Sequence, residues 1–242
     1  MSGAPNGGAP NGGAPNVHAG TDFLYPFIEA EESDAAPLLA DLAASANGKA
    51  VQSTRLRIAT LELLGSELDR LAEGMAERAR SGGRVFCFGN GGSSTDAAGF
   101  AAFLAHPPWG RPLAARSLVA DESIVTALGN DVGFELVFSR QLIAYASSGD
   151  VAFGFSTSGN SENVMRAFGE ARDRGMLTVG LAGYEGGQMA ECRFLDYCLV
   201  VRSDSVHRIQ ETQAGLVSSL WARVQVRLGE SQPGGEPLAV AS

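Results

Sequence analysis

Two short stretches of this sequence carry the residue types that hold an anion: GNGGSS at 89–94 and STSGNS at 156–161. Glycines let the main chain approach a ligand closely. Successive N–H groups at a helix start point at it with the positive end of the dipole, and small hydroxyls add donors without bulk. Ser93, Ser94, Ser156, Thr157, Ser158 and Ser161 could surround one phosphate from two sides. Neither loop contains Lys or Arg, which suits a phosphomonoester held by neutral donors. Gly89-x-Gly91, with Asp121 further on, offers a rival dinucleotide reading. Ser94 stands where its third glycine belongs, however, and that reading leaves the second loop unexplained. A Walker-type loop fails for want of Gly-Lys-Ser/Thr.

The elements that must position these loops are legible as an alternation. RVFCFG (84–89), LAARSLV (113–119), DVAFGFS (150–156), LTVGLAG (177–183) and DYCLVV (196–201) read as short buried strands. Between and after them, helical patterns cover about 93–106, 133–147, 160–175 and 205–228. Apolar strands alternating with amphipathic helices predict a parallel sheet covered on both faces. In such a sheet, ligands sit beyond the carboxyl ends of the strands, where both loops fall. A long helical pattern from about 35 to 80 precedes the alternation. Its Leu61, Leu64, Leu68, Leu71 and Met75 are spaced three and four apart, a helix–helix seam that is either intramolecular core or a contact between subunits.

Bulk properties exclude several classes. The 242 residues suit one α/β domain with extensions, and a net charge of −9 gives no footprint for nucleic acid or anionic membrane. Cys87, Cys192 and Cys198 are widely spaced, which fits a reducing cytoplasmic compartment. The opening MSGAPNGGAPNGGAPN lacks the basic and apolar regions of a signal peptide, and no apolar run is long enough to span a bilayer. The expected organisation is a disordered GAPNG-repeat arm (1–20), an extension (21–48) whose FLYPFIE packs on the domain or a neighbour, a main domain (49–229) and a flexible tail (230–242).

Taken in order, CFGNGGSSTDAAGFA, ALGNDVGFELVFSRQL, GDVAFGFSTSGNSENVMRAF, GMLTVGLAGYEGGQMA and RIQETQ resemble the sugar isomerase (SIS) domain. More narrowly, they are similar to the phosphoheptose isomerase (sedoheptulose 7-phosphate isomerase) branch. The resemblance implies a five-stranded flavodoxin-like domain in a homotetramer, with a phosphosugar on the two loops. Ser93, Ser156, Thr157, Ser158 and Ser161 then carry over as phosphate ligands, Asn90 and Asp131 as sugar-hydroxyl contacts, and Gln210 as the active-site glutamine.

The family's aldose–ketose isomerisation runs through an enediol and needs an acid/base pair. In the isomerases a His and a Glu four residues apart, the glutamine and a second His form a zinc site. Here those positions hold Gly99, Phe103 and Ser218, with Gln210 alone retained, so no cofactor is expected. After Asp96 the helix carries no ionisable side chain until His106, which reads as a helix cap. On the last helix His207, Gln210, Glu211 and Ser218 share a face, so His207 and Glu211 are candidates for a relocated pair. The expected function is therefore phosphosugar binding in a regulatory role without zinc-dependent chemistry. The alternative is an active sugar-phosphate isomerase with relocated acid/base residues. Non-catalytic family members act as protein-binding platforms, so a protein partner of unstated identity is a further expectation.

Overall fold

The computed structural model describes residues 36–231. The GAPNG arm with His18, the FLYPFIE segment and nearly all of the tail lie outside the described residues. The chain divides into two units after Gly48; of the first, 36–48 is described and is helical.

The second unit is built on five strands, β1 (Val85–Gly89), β2 (Ala115–Ser117), β3 (Val151–Ser156), β4 (Leu177–Gly183) and β5 (Tyr197–Val201). All neighbours pair in parallel, in the order β2-β1-β3-β4-β5. This is the parallel sheet that the alternation of strands and helices predicts, in the five-stranded flavodoxin-like form that the family resemblance implies. The helices are α1 (Ala36–Arg80), α2 (Gly92–Ala105), α3 (Glu122–Asp131), α4 (Val137–Tyr145), α5 (Glu162–Asp173), α6 (Gly187–Ala190) and α7 (Val206–Arg227), with a 3-10 turn at Phe134–Leu136.

Strand side chains alternate between two cores. Val85, Cys87, Val151, Phe153, Phe155, Val179 and Leu181 face α2, α7 and the later turns of α1. Phe86, Phe88 and Ala152 face the opposite way, onto α4 and α5. Residue 154 faces the second layer and is glycine, since a Cβ there would meet the rings of Phe168 and Phe88, at 2.5 and 2.9 Å.

The leucine seam resolves as intramolecular core. Leu64, Leu68, Leu71 and Met75 are buried within one copy, and Leu61 packs against them. Asp69 then clamps α1 to α7 through Arg223 (2.6 Å) and Arg227 (2.9 Å). The region expected as a single helix over 133–147 is instead a 3-10 turn followed by α4, and α3 lies ahead of it unanticipated. Two features divide this region: Gly133 at φ 130, and Asp121, whose side chain caps α3 by accepting from Ile124 N–H at 3.1 Å. That capping role replaces the ribose contact of the dinucleotide reading. His106 is the C-cap of α2, its backbone N–H bonded to Ala102 O.

Gly99 sits mid-helix in α2 with nothing near the place a Cβ would take. Gly99→Ala is therefore expected to stabilise the fold by about 0.5–1 kcal/mol, through reduced backbone freedom in the unfolded chain. Urea denaturation with an unchanged slope checks it; a lowered midpoint would contradict it.

Candidate functional site

Because β1 and β3 are neighbours, the loops that follow them flank one crevice at the carboxyl edge of the sheet, the topological switch point. The 89–94 loop feeds α2 and the 156–161 loop feeds α5. Gly91, the N-cap of α2, has φ 54 and no side chain to cap with. Ser161, the N-cap of α5, makes no capping bond either. Both helix starts thus keep N–H groups that no cap side chain claims.

The hydroxyls are arranged in a relay. Gly159 N–H donates to Ser156 Oγ at 3.1 Å, and Ser156 Oγ lies 2.9 Å from Ser161 Oγ. If Ser156 donates to Ser161, the Ser161 hydroxyl hydrogen is left to face a ligand. Ser158 Oγ accepts from Asn160 N–H at 3.2 Å, which leaves its own hydrogen available. Ser93 and Ser156 are buried; Thr157 is half-buried, and its carbonyl accepts from Gly183 N–H at 3.0 Å. Ser94 points inward on its own turn, donating to Gly91 O at 2.6 Å.

A pair of amides ties the two loops together. Asn90 Nδ2 donates to Asn163 Oδ1 at 2.8 Å, and Asn163 Nδ2 returns a bond to Asn90 Oδ1 at 2.9 Å. Asn163 was not singled out in the sequence, where it reads as one more residue of a helical first turn. A second brace comes from the segment after β4. Asn160 Oδ1 accepts from Gln188 N–H, and Gly159 O accepts from Met189 N–H at 3.0 Å. Tyr184, in the same segment, holds a left-handed φ of 49, a conformation that costs an aromatic residue energy and that clusters at functional sites.

The remaining candidates separate. Gln210 reaches from α7 to the start of α2, where its Nε2 donates to Asp96 Oδ2 at 2.8 Å. A Cβ on Gly92 would sit 2.7 Å from that amide. In the sequence Asp96 reads only as the last ionisable group before a blank helix. Burial raises its carboxyl above the ordinary range, and the Gln210 hydrogen bond partly offsets that. Glu211 turns to α1, accepting from Ser53 Oγ, and binds Arg208 at 2.9 Å. The Ser53 bond first, and then Arg208, lower its carboxyl below the ordinary range. His207 makes no hydrogen bond with Glu211 among the described residues, and acts on its carboxylate only through charge. Asp131 is exposed at the end of α3, accepting from Asn130 Nδ2. A separate open groove of ≈ 610 Å³ lies along α5, lined by Asn160, Met165, Arg166 and Phe194 among others; it contains none of the paired hydroxyls.

Residues 50–183 match the SIS domain. The chain is 43% identical over 162 residues to a phosphoheptose isomerase of Aquifex aeolicus, covering 66% of this chain and 84% of that protein. The chain belongs to the SIS-domain family, in its phosphoheptose isomerase branch. A phosphoheptose isomerase of Solidesulfovibrio magneticus is 46% identical over 152 residues, 61% of this chain and 72% of that one. Among solved structures, phosphoheptose isomerase GmhA from Neisseria gonorrhoeae superposes with a TM-score of 0.68 at 36% identity, over 74% of this chain and 96% of that chain. The Francisella tularensis phosphoheptose isomerase gives 0.70 at 30% identity, over 76% and 98%.

Within this SIS domain, the positions that the resemblance assigns to zinc do not fit the ion. Gly99 offers no donor, and the Phe103 ring packs edge-on against Trp221 at 5.6 Å. Ser218 Oγ donates to Ala214 O within its own helix, and Gln210 is engaged with Asp96. Among the described residues no cluster of three His, Cys, Asp or Glu side chains could hold a metal. Nor is any described helix long and apolar enough to cross a membrane.

Proposed function

We propose that this chain binds a phosphorylated sugar in the crevice between the 89–94 and 156–161 loops and isomerises it between aldose and ketose forms without a zinc site. The observation that carries the reading is the convergence of two uncapped, hydroxyl-lined helix starts on one crevice, cross-tied by Asn90 and Asn163. The residues at the family's acid/base positions favour a regulatory binding role. The names of the relatives favour turnover instead, since those proteins are phosphoheptose isomerases. Sedoheptulose 7-phosphate is accordingly the substrate to try. Binding without turnover remains the second reading, and the observation favouring it is that Gly99, Phe103 and Ser218 supply no ionisable group. His207 and Glu211 on α7 stay candidates for acid/base work.

We also infer that copies of this chain associate, as the family resemblance implies for a tetramer. The apolar side chains left for such a contact include Val51, Ile58 and Leu63 on α1, all exposed in one copy.

Calorimetry with sedoheptulose 7-phosphate tests the site. Ser158→Ala with Ser161→Ala removes two hydroxyl donors from a partly desolvated anion. At about 1.5–3 kcal/mol per charge-assisted bond, affinity should fall at least tenfold. Unchanged affinity in the double variant would remove the second loop from the site. An isomerase assay on the wild-type chain then separates the two readings: conversion supports turnover, and tight binding without conversion supports the regulatory role.

A further inference from the structure

The face of α2 that meets α7 is a narrow stripe. Gly92, Asp96 and Phe103 are spaced by four and seven residues, which keeps them on one side of a helix of about 3.6 residues per turn. Contacts confirm the facing element: the Gln210 amide lies over Gly92 and bonds Asp96, and Phe103 meets Trp221. Asp96 is the one member of this stripe that can ionise. It sits a single turn beyond the helix start that borders the crevice. With the phosphate between the two loops, a sugar extending from it toward α7 runs past Asp96 and Gln210. The stripe therefore lies where the reacting carbons would be.

We infer that Asp96 is the group that takes and returns the substrate's carbon-bound proton, with Gln210 as its positioning residue; this rests on the isomerase reading above. Gln210 Nε2 occupies Oδ2, and Oδ1 accepts no hydrogen bond from the described residues, so one carboxylate oxygen remains to act. The other carboxylates are less suited. Glu211 is engaged by Ser53 and Arg208, and Asp131 is exposed with Asn130 on it.

The step balances without an outside oxidant. Oδ1 of the carboxylate takes the proton from the carbon beside the carbonyl, and the C–H electron pair becomes the new C=C bond. The carbonyl π pair moves to its oxygen, which gains a proton from water, giving the enediol. The neighbouring hydroxyl then gives a proton to water as its oxygen forms the new carbonyl. The Asp96 acid returns its proton to the former carbonyl carbon. One carbon is oxidised, its neighbour is reduced, and Asp96 ends as it began.

The test uses the full chain with sedoheptulose 7-phosphate in D2O, following by NMR the entry of deuterium at the carbons beside and at the carbonyl. Wild type should exchange. Asp96→Asn should keep its fold and bind within about threefold of wild type, but exchange at least 100-fold more slowly, the lower end of what a positioned acid/base group contributes. Asp96→Glu, which moves the carboxyl by one methylene, should exchange at an intermediate rate, and it decides the matter if the Asn variant does not fold. Exchange at the wild-type rate in either variant would overturn the assignment. So would exchange lost in Glu211→Gln or His207→Gln but kept in Asp96→Asn, which would leave the isomerase reading intact. A wild-type chain that binds the ester but neither exchanges a proton nor converts the ester would overturn the isomerase reading itself, and the role of Asp96 with it.

Discussion

Gly159→Ala is expected to weaken sugar-phosphate binding at least 100-fold while leaving every proposed ligand hydroxyl in place. Gly159 has φ 65, and a Cβ there would collide with the Gly186 carbonyl oxygen, meet its carbon at 2.6 Å and lie 3.1 Å from Gly187 N. These obstacles are backbone atoms, so no side chain can swing aside. The left-handed conformation adds about 1–2 kcal/mol for any residue with a Cβ. The loop must therefore shift away from α6, which strains the Gly159 N–H bond to Ser156 Oγ and the Met189 N–H bond to Gly159 O. A displacement of about 1 Å in a positioned site costs on the order of 100-fold. Gly82→Ala is the control: its φ of 80 carries the same backbone penalty, but nothing lies where its Cβ would go. Calorimetry with sedoheptulose 7-phosphate should show binding lost in the first variant and kept in the second. Equal affinity in both would mean that the 156–161 loop does not hold the phosphate.

What could be read from the sequence follows the range of the interactions involved. LTVGLAG coincides with β4, and the two anion loops are local: glycines, hydroxyls and a helix start lie within six residues of one another. The element missed outright, α3, is ten residues long and buries none of them fully; its Ile124, Val125 and Leu128 are half-buried, too short an apolar run to establish a period. Long-range pairs were invisible for another reason. Asp96 and Gln210 are 114 residues apart, and Asn90 and Asn163 are 73 apart. Neither meeting follows from spacing until the order of the strands is known. His207 and Glu211 show the limit of spacing from the other side. Helical spacing put the two side chains on one face, but Ser53, 158 residues from Glu211, takes the carboxylate. Periodicity also could not decide whether the leucine seam was core or contact, because a helix buries the same stripe in either case.

That last ambiguity sets the second large effect. Leu68→Asp is expected to unfold the protein rather than split an oligomer. Leu68 is 0% exposed in a single copy, surrounded by the core shared with β1, β3, β4 and α7. Truncating a buried leucine costs about 2–5 kcal/mol. A carboxylate placed there without a partner adds an effective penalty of several kcal/mol more. The sum is comparable with the whole stability of an ordinary domain, about 5–15 kcal/mol. Circular dichroism at 25 °C should show loss of the cooperative thermal transition. Ile58→Asp makes the contrast, since Ile58 is 51% exposed and bears no core load. It should keep the transition and, if copies meet over α1, reduce the mass seen by light scattering. A folded Leu68→Asp protein of lower mass would instead return the seam to the interface. A wild-type chain that scatters as a monomer at micromolar concentration would refute association altogether.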